Sequence, residues 1–245
     1  MIDIHSHILP GIDDGSPDLF ETIKMASIAV KSGTTVMVAT PHCNIPGRYR
    51  NYFDDEYIHL FNKVRGTLDR ENIPLELLPG MEVYVTEEVP RLLTEGKIMP
   101  VNKTHYVLIE FNFGEDPDFV NHMIGKIKDV KARPVIAHAE RYKFVQNNPD
   151  LLRKWKMEGI TVQMNKGSFQ GKFGRSAEKI AYQALDENLV DVIASDTHGS
   201  NIRTPIMDEA FFEMSLDYDE NYLKVLFNEN PKRICLDRPV LRKKK

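Results

Sequence analysis

The sequence predicts an α/β fold in which a parallel sheet of seven strands wraps into a barrel. Three observations predict it. The chain has 245 residues, a length that suits one barrel of about 250 residues better than a sandwich or a bundle. Seven short apolar runs alternate with stretches of helical periodicity, and right-handed crossovers between parallel strands would curl such a sheet into a barrel. Nearly every run also ends in a histidine, aspartate or glutamate, and in barrels of this kind the C-terminal strand ends form the active face.

The first run is Ile2-Asp3-Ile4-His5, where apolar and polar residues alternate before the turn formers Pro10-Gly11 and Asp13-Asp14-Gly15. His5 and His7 are two apart, so on an extended backbone they share a side. Residues 17–31 read as a helix with Ser16 as N-cap, Pro17 in the first position and Gly33 as its stop. Residues 34–40 form the second strand, closing on Pro41-His42. Residues 54–70 place apolar side chains at 57, 58, 61, 64 and 68, one face of a helix, with His59 on the polar side and without a role.

Residues 75–84 form the third strand, broken by Pro79-Gly80 and carrying Glu82, and Pro90 opens a short helix. The fourth strand, 106–110, delivers Glu110 after four apolar residues, a costly burial unless cations or hydrogen bonds compensate. After a helix at 118–130, the fifth strand ends in His138 and continues into Glu140-Arg141-Tyr142. A helix at 149–158 carries Trp155 as a packing residue. Strand six covers 160–165, a helix 175–188, and strand seven ends in Asp196-Thr197-His198. Helices at 208–214 and 220–227 close the chain.

Composition narrows the function classes. Hydrophobic residues make up 42% and charged residues 28% of the chain, the balance of a globular protein with a sizeable core. A net charge of −4 gives no global attraction to nucleic acid or anionic membrane, so any phosphate must be held by local cations. Residues 242–245 are the only basic run and read as a solvated tail. No apolar stretch approaches the ~20 residues of a membrane span, and no signal segment opens the chain, so no membrane insertion is expected. Two cysteines, Cys43 and Cys235, make no disulfide framework and fit the cytoplasm. Without repeats or linkers, residues 1–245 read as one domain.

The strand ends would gather His5, His7, His42, Glu82, Glu110, His138, Asp196 and His198 on one rim, with Asp14 on the loop above it. Imidazole and carboxylate ligands without a cysteine set suit manganese, iron or zinc.

The motifs His5-Ser6-His7, Asp13-Asp14-Gly15, Thr40-Pro41-His42, His138-Ala139-Glu140-Arg141-Tyr142 and Ser195-Asp196-Thr197-His198 together resemble the PHP (polymerase and histidinol phosphatase) domain. More narrowly, the chain resembles the metal-dependent bacterial tyrosine-protein phosphatases of capsule and exopolysaccharide operons, over about residues 1–235. The resemblance implies a distorted TIM-like (β/α)7 barrel and a trinuclear site of divalent ions, manganese first among them. It assigns His5, His7, Glu82 and Asp196 to one metal; Glu82, Glu110 and His138 to a second; and Asp14, His42 and His198 to a third. Arg141 and Arg203 match positions expected to grip phosphate. Cys43 stands where relatives commonly carry another residue, often His, and a thiol there could alter metal preference or oxidation sensitivity.

The implied reaction is metal-assisted hydrolysis of phosphotyrosine on an autophosphorylating tyrosine kinase of polysaccharide synthesis, within a tyrosine-rich segment of that partner. A phenolate leaving group, with a pKa near 10, needs less protonation than an alkoxide, and His198, Asp14 or a metal-bound water could assist. A cysteine-dependent mechanism is excluded by the residues themselves, because an arginine six places after the nucleophile is required and Tyr49 and Leu241 stand there. Arg48, Tyr49 and Arg50 could instead dock the phosphotyrosine ring and acidic surroundings. The alternatives are a small-molecule phosphomonoesterase of the histidinol phosphatase kind, a non-catalytic phosphotyrosine-binding regulator and, last, an amidohydrolase.

Overall fold

The structure, a computed structural model, describes residues 1–242. Strand β1 (Ile2–Ser6) is buried along its whole length. After helix α1 (Leu19–Lys31), the second apolar run divides into β2 (Val36–Ala39) and β3 (His42–Cys43), and after α2 (Asp55–Arg70) the third divides into β4 (Glu76–Pro79) and β5 (Glu82–Tyr84). The break at Pro79-Gly80 is the expected one, whereas the short β3 beyond Pro41 is an addition; both have reasons the sequence carries. Pro41 has no N–H to donate to a ladder. At Gly80 a Cβ would meet Val38 Cγ1 at 2.8 Å, so the neighbouring strand comes closer there than any other residue allows.

The chain continues through α3 (Val89–Thr94), β6 (Tyr106–Glu110), α4 (Pro117–Asp129), β7 (Arg133–Ile136), α5 (Lys143–Asn147), α6 (Asp150–Met157), β8 (Thr161–Asn165), α7 (Lys166–Phe169), α8 (Arg175–Asp186) and β9 (Val192–Ala194). Every strand pair is parallel. One segment of sheet runs β1-β2-β4 and the other β3-β5-β6-β7-β8-β9. The sheet curls until its two ends meet at the rim, where Asp196 N donates to His5 O and His7 N to Thr197 O, both at 2.9 Å. Asp3 fastens the same seam from below, its buried carboxylate accepting from Ser195 N and Ser195 Oγ.

Inside the curl, Ile4, Val38, Leu108, Val135 and Val192 pack with Ile234 and Cys235 of the C-terminal helix; a second, larger apolar layer lies between sheet and helices. Burying these side chains contributes roughly 1.5–3 kcal/mol each before chain entropy is counted. Trp155 belongs to the outer layer, fully buried and edge-on to Phe144.

Several local expectations are corrected. Helix α1 is capped by Asp18, whose extended backbone lets its carboxylate accept from Glu21 N. Ser16 is buried instead, donating its hydroxyl to Asp18 O. The closing helices are α9 (Asp208–Ser215), α10 (Glu220–Lys224) and α11 (Asn230–Cys235), the last two joined by a π-turn at Val225–Glu229. Helical structure therefore runs past residue 227. Pro231 cannot supply the i−4 bond of a regular helix, and the wider turn absorbs the defect. Arg242 is no solvated tail residue: it donates to Asp191 through Nε and Nη2 at 3.1 and 3.0 Å, and to Lys156 O and Ile160 O. The remaining lysines, 243–245, lie outside the described residues.

Candidate metal centre

The rim is where the backbone departs from regularity. Between Asp3 and Ser6 the register of β1 slips by one residue against Met37 and Ala39, a bulge of the kind that re-aims side chains at sites. His138 and Asp196 both have left-handed backbone (φ 36° and 51°), as does Arg203 (φ 50°). Such conformations are uncommon for residues with a Cβ and persist where surrounding structure enforces them. Gly15 lies so close to His7 that a Cβ would sit 2.2 Å from His7 O. The Asp13-Asp14 loop is thereby laid directly over the histidine.

All nine residues singled out at strand ends and on the loop come together. Glu82 is the hub: its carboxylate lies 3.2 Å from His5 Nε2, 3.2 Å from His7 Nε2, 3.1 Å from His42 Nδ1 and 2.8 Å from His138 Nε2. Glu110 Oε1 is 3.0 Å from His42 Nδ1. Asp196 Oδ1 is 3.4 Å from His5 and 3.6 Å from His198. Asp14 Oδ1 reaches His42 at 3.3 Å and His198 at 3.5 Å.

Four overlapping groups have donor atoms close enough to share an ion: His7, Asp14, His42 and His198; His5, His7 and Asp196; His5, Glu82 and His138; and His42, Glu82 and Glu110. Glu82 closes with His138 through His5, and with Glu110 through His42, while His138 Nε2 and Glu110 Oε2 stand 3.8 Å apart. Cys43 belongs to no group. It is buried in the apolar core, and burial pushes its thiol up to about 12.

The donor set fits divalent ions on its own terms. His42 Nδ1, Glu82 Oε2, Glu110 Oε1 and His198 Nε2 are buried and make no hydrogen bond of proper geometry, although His42 Nδ1 lies only 3.0–3.1 Å from both carboxylates. Buried polar atoms are rarely left so. Lone pairs converging without donors are what a cation would satisfy.

Several residues that sequence reasoning missed set the orientation of the histidines. Asp13 Oδ2 accepts from His7 Nδ1 at 2.7 Å and from His42 N at 2.9 Å. Gln163 Oε1 is 3.0 Å from His5 Nδ1, and since an amide oxygen only accepts, that nitrogen carries the proton. Both bonds keep a proton on Nδ1 and turn Nε2 toward the cluster. Gln163 also accepts from His138 N and donates to Asn165, which in turn donates to Asp196 at 2.6 Å. The signal for these was present as polar residues inside the buried run at 161–165 and as the doubling of Asp13 beside Asp14.

Charge follows the same geometry. Burial alone would push Glu82 and Asp196 up, but His5 and His42 around the first, and His5 and Arg203 around the second, hold both well below the usual carboxylate range. Burial works against a charged His7 ring, yet Asp13, Asp196 and Glu82 raise it well above the ordinary value. His5 is likewise raised by Glu82 and Asp196 against its burial. His198 is lowered, by burial and by the neighbouring His7.

Arg203 Nη2 lies 2.5 Å and Arg141 Nη1 3.5 Å from Asp196 Oδ2. Both arginines line a cavity of about 320 Å³ together with Asp14, His42, Glu82 and Glu110. Tyr49 stacks on His42 with centroids 5.8 Å apart, and Arg48 lies over the Tyr49 ring. A larger cavity, about 580 Å³ beneath α2 and β4, contains none of these groups. The smaller one is the functional candidate because the chemistry converges there.

Fold and site together define a class: parallel α/β proteins that can hold a cluster of metal ions at the C-terminal ends of their strands. Within it, residues 1–236 match the family profile of capsular polysaccharide synthesis proteins CpsB/CapC, and the chain belongs to that family. It is 33% identical over 242 residues to the tyrosine-protein phosphatase YwqE of Bacillus subtilis, covering 99% of this chain and 94% of that protein. It is 30% identical over 245 residues to the tyrosine-protein phosphatase CpsB of Streptococcus pneumoniae, covering 97% and 99%. A solved structure from work on these two proteins, described as unique metal-dependent tyrosine phosphatases, superposes with a TM-score of 0.90 at 32% identity, covering 99% of this chain and 97% of that one. A β-aspartyl dipeptidase from Fervidobacterium islandicum superposes with a TM-score of 0.58 at 13% identity, covering 96% and 72%, a likeness of fold alone.

Proposed function

We propose that the protein is a metal-dependent protein-tyrosine phosphatase. The observation that carries this is the juxtaposition of a buried histidine–carboxylate cluster with two arginines on one cavity. His5, His7, Asp14, His42, Glu82, Glu110, His138, Asp196 and His198 are assigned as ligands of three divalent ions, with manganese the first to test and iron and zinc the alternatives. We read the curled sheet as the distorted (β/α)7 barrel of PHP type and the chain as one domain. The seven apolar runs and the hydrogen bonds joining the ends of β1 and β9 support that reading.

When bound, the ions supply a nucleophile from water at neutral pH and Lewis-acid stabilisation of the phosphoryl oxygens. The chain's own residues do the rest. Arg141 and Arg203 grip the non-bridging phosphate oxygens by charge-assisted hydrogen bonds and orient the group for in-line displacement. Asp13 and Gln163 hold His7 and His5 with Nε2 unprotonated and facing the cluster. Asp14, two-fifths exposed at the mouth, and His198 beside it are the candidates for assisting the departing phenolate oxygen, whose pKa near 10 leaves it less in need of a proton than an alkoxide.

The substrate is assigned as a tyrosine-rich segment of an autophosphorylating bacterial kinase that controls polysaccharide synthesis, encountered in the cytoplasm. The names of the relatives support a phosphotyrosine protein as substrate, and the family description supports the link to polysaccharide synthesis. The Arg48-Tyr49-Arg50 turn is assigned to substrate docking, supported by the stacking of Tyr49 on His42. The direct test removes metal with a chelator, restores manganese, iron or zinc separately, and follows phosphate release from a phosphotyrosine peptide and from histidinol phosphate. Metal-restored turnover that favours the peptide is expected. Turnover indifferent to chelation, or a strong preference for histidinol phosphate, would refute it.

A further inference from the structure

Arg141 is flanked by two aromatic rings. Its guanidinium carbon lies 4.3 Å from the centre of Phe173 and 4.6 Å from that of Phe113. Arg203 shares the Phe173 ring at 5.8 Å. A guanidinium stacked on aromatic faces keeps its in-plane N–H groups free for an oxyanion while losing much of its rotational freedom beforehand.

Phe173 reaches this position because of a glycine. A Cβ at Gly167 in α7 would meet Phe173 Cε2 at 2.9 Å, so the ring occupies space that only glycine leaves. The loop after α7 is tight, with Gly171 N donating to Ser168 O and Lys172 N to Gly167 O. The fully buried carboxylate of Glu140, the residue before Arg141, accepts from Asn165 N and Ser168 Oγ. The turn that carries Arg141 and the helix that leads to Phe173 are thereby tied to one group. On the other flank, Phe113 O accepts from Lys143 N at 2.8 Å, and its ring, 39% exposed, lies 5.7 Å from that of His138.

We infer that Phe113 and Phe173 are positioning residues for the phosphoryl group, acting through Arg141, and that Gly167 is the seat that makes this arrangement possible. The inference rests on the phosphatase reading above and names residues of the site that neither the ligand cluster nor the arginines reveal. Neither ring touches the reacting atoms in this account. Their contribution is to present the guanidinium edge already aimed at the cavity, so the free energy lost without them appears in binding.

The experiment is steady-state hydrolysis of a phosphotyrosine peptide by the metal-loaded protein, with inorganic phosphate as competing inhibitor. Phe173→Leu keeps apolar bulk but removes the aromatic face, and should raise KM and the phosphate inhibition constant about 5- to 30-fold while kcat changes less. Phe173→Tyr should restore both, and Gly167→Ala should reproduce the Leu phenotype by displacing the ring. In an Arg141→Ala background, Phe173→Leu should lose most of its effect, leaving only what passes through Arg203. An unchanged KM in Phe173→Leu, or a full additional loss in the Arg141→Ala background, would overturn the inference while leaving the phosphatase assignment intact. A wild-type protein without turnover would instead overturn that assignment, and calorimetric binding of inorganic phosphate would then compare the same variants.

Discussion

Asp13 Oδ2 stands 2.7 Å from His7 Nδ1, and the same oxygen accepts from the backbone N–H of His42. One carboxylate thus fixes the tautomer of one imidazole and the position of another, without belonging to any of the candidate ion-binding groups. Removing it should loosen the site without emptying it. Asp13→Ala should lower metal affinity about 10- to 100-fold, read by calorimetric titration of the chelated protein. Affinity equal to wild type would show that the contact has no orienting role.

His138 and Asp196 are different in kind, because each contributes donor atoms to a group and each sits in a left-handed backbone conformation at a strand end. His138→Ala or Asp196→Ala should reduce kcat/KM on a phosphotyrosine peptide by more than the ~100-fold that bounds an outer-shell partner. Full activity in either variant would remove the proposed mechanism.

The charge arrangement sets a pH dependence with a definite sign. His5 and His7 are raised above 6.5 in the metal-free fold, so they bind protons that an incoming ion must displace. Metal affinity should therefore rise with pH, with proton release visible as calorimetric heats that vary with buffer ionisation enthalpy. For the chelated protein, the raised histidines contribute stability fully present below pH 6.5 and lost as pH climbs through their folded values. The lowered Glu82 and Asp196 contribute stability present above 4.5 and 3.8 and lost as pH falls through theirs. Thermal melting of the chelated protein should thus decline toward both acid and alkali, and the gap to the metal-loaded protein should widen with rising pH. A gap independent of pH would contradict this.

Gly15 has no room for a side chain, since a Cβ would fall 2.2 Å from His7 O and 2.3 Å from His7 Cβ. Gly15→Ala should push the loop bearing Asp13 and Asp14 away from the rim, at a cost of about 1–3 kcal/mol in stability and with loss of metal binding. Chemical denaturation and elemental analysis of the purified variant would reveal it. A variant of unchanged stability and metal content would show the loop to be free to move.

Far from the rim, Arg242 closes the fold from its C-terminal side through Asp191, which is fully buried. Arg242→Ala leaves that carboxylate with fewer partners and should destabilise the protein by ~1.5–3 kcal/mol. Activity per folded molecule should stay at the wild-type level. Denaturation midpoints together with rates below the transition would separate the two effects, and an unchanged midpoint would mean that the contact contributes nothing.

The parts of the site legible in the sequence were those in which local pattern and chemistry coincide. An apolar run that ends in His138 or Glu110 announces both a strand and a polar group at its end, because strand periodicity is local and a buried ionisable group needs a reason. Helix α2 was legible for the same cause, from its apolar spacing. Asp18 was not, since Ser16 offers the same capping chemistry two residues earlier. Only the burial of Ser16 between Asp18 O and Thr22 decides between them. The interruptions at Pro41 and Gly80 were visible as residues, whereas their effect on pairing depended on the strand beside them.

By itself, then, the sequence determined that strand ends carry a set of histidines and carboxylates, because the alternation of strands and helices follows from periods of two and 3.6 residues along the chain. The tertiary structure decided who faces whom. Glu82 stands among four histidines, Gln163 holds a ring 158 positions away in the chain, and Arg141 lies against Phe173, whose ring fills the space beside Gly167. These relationships are distances between strand ends and loops, fixed by the curl and register of the sheet, and no local pattern encodes them.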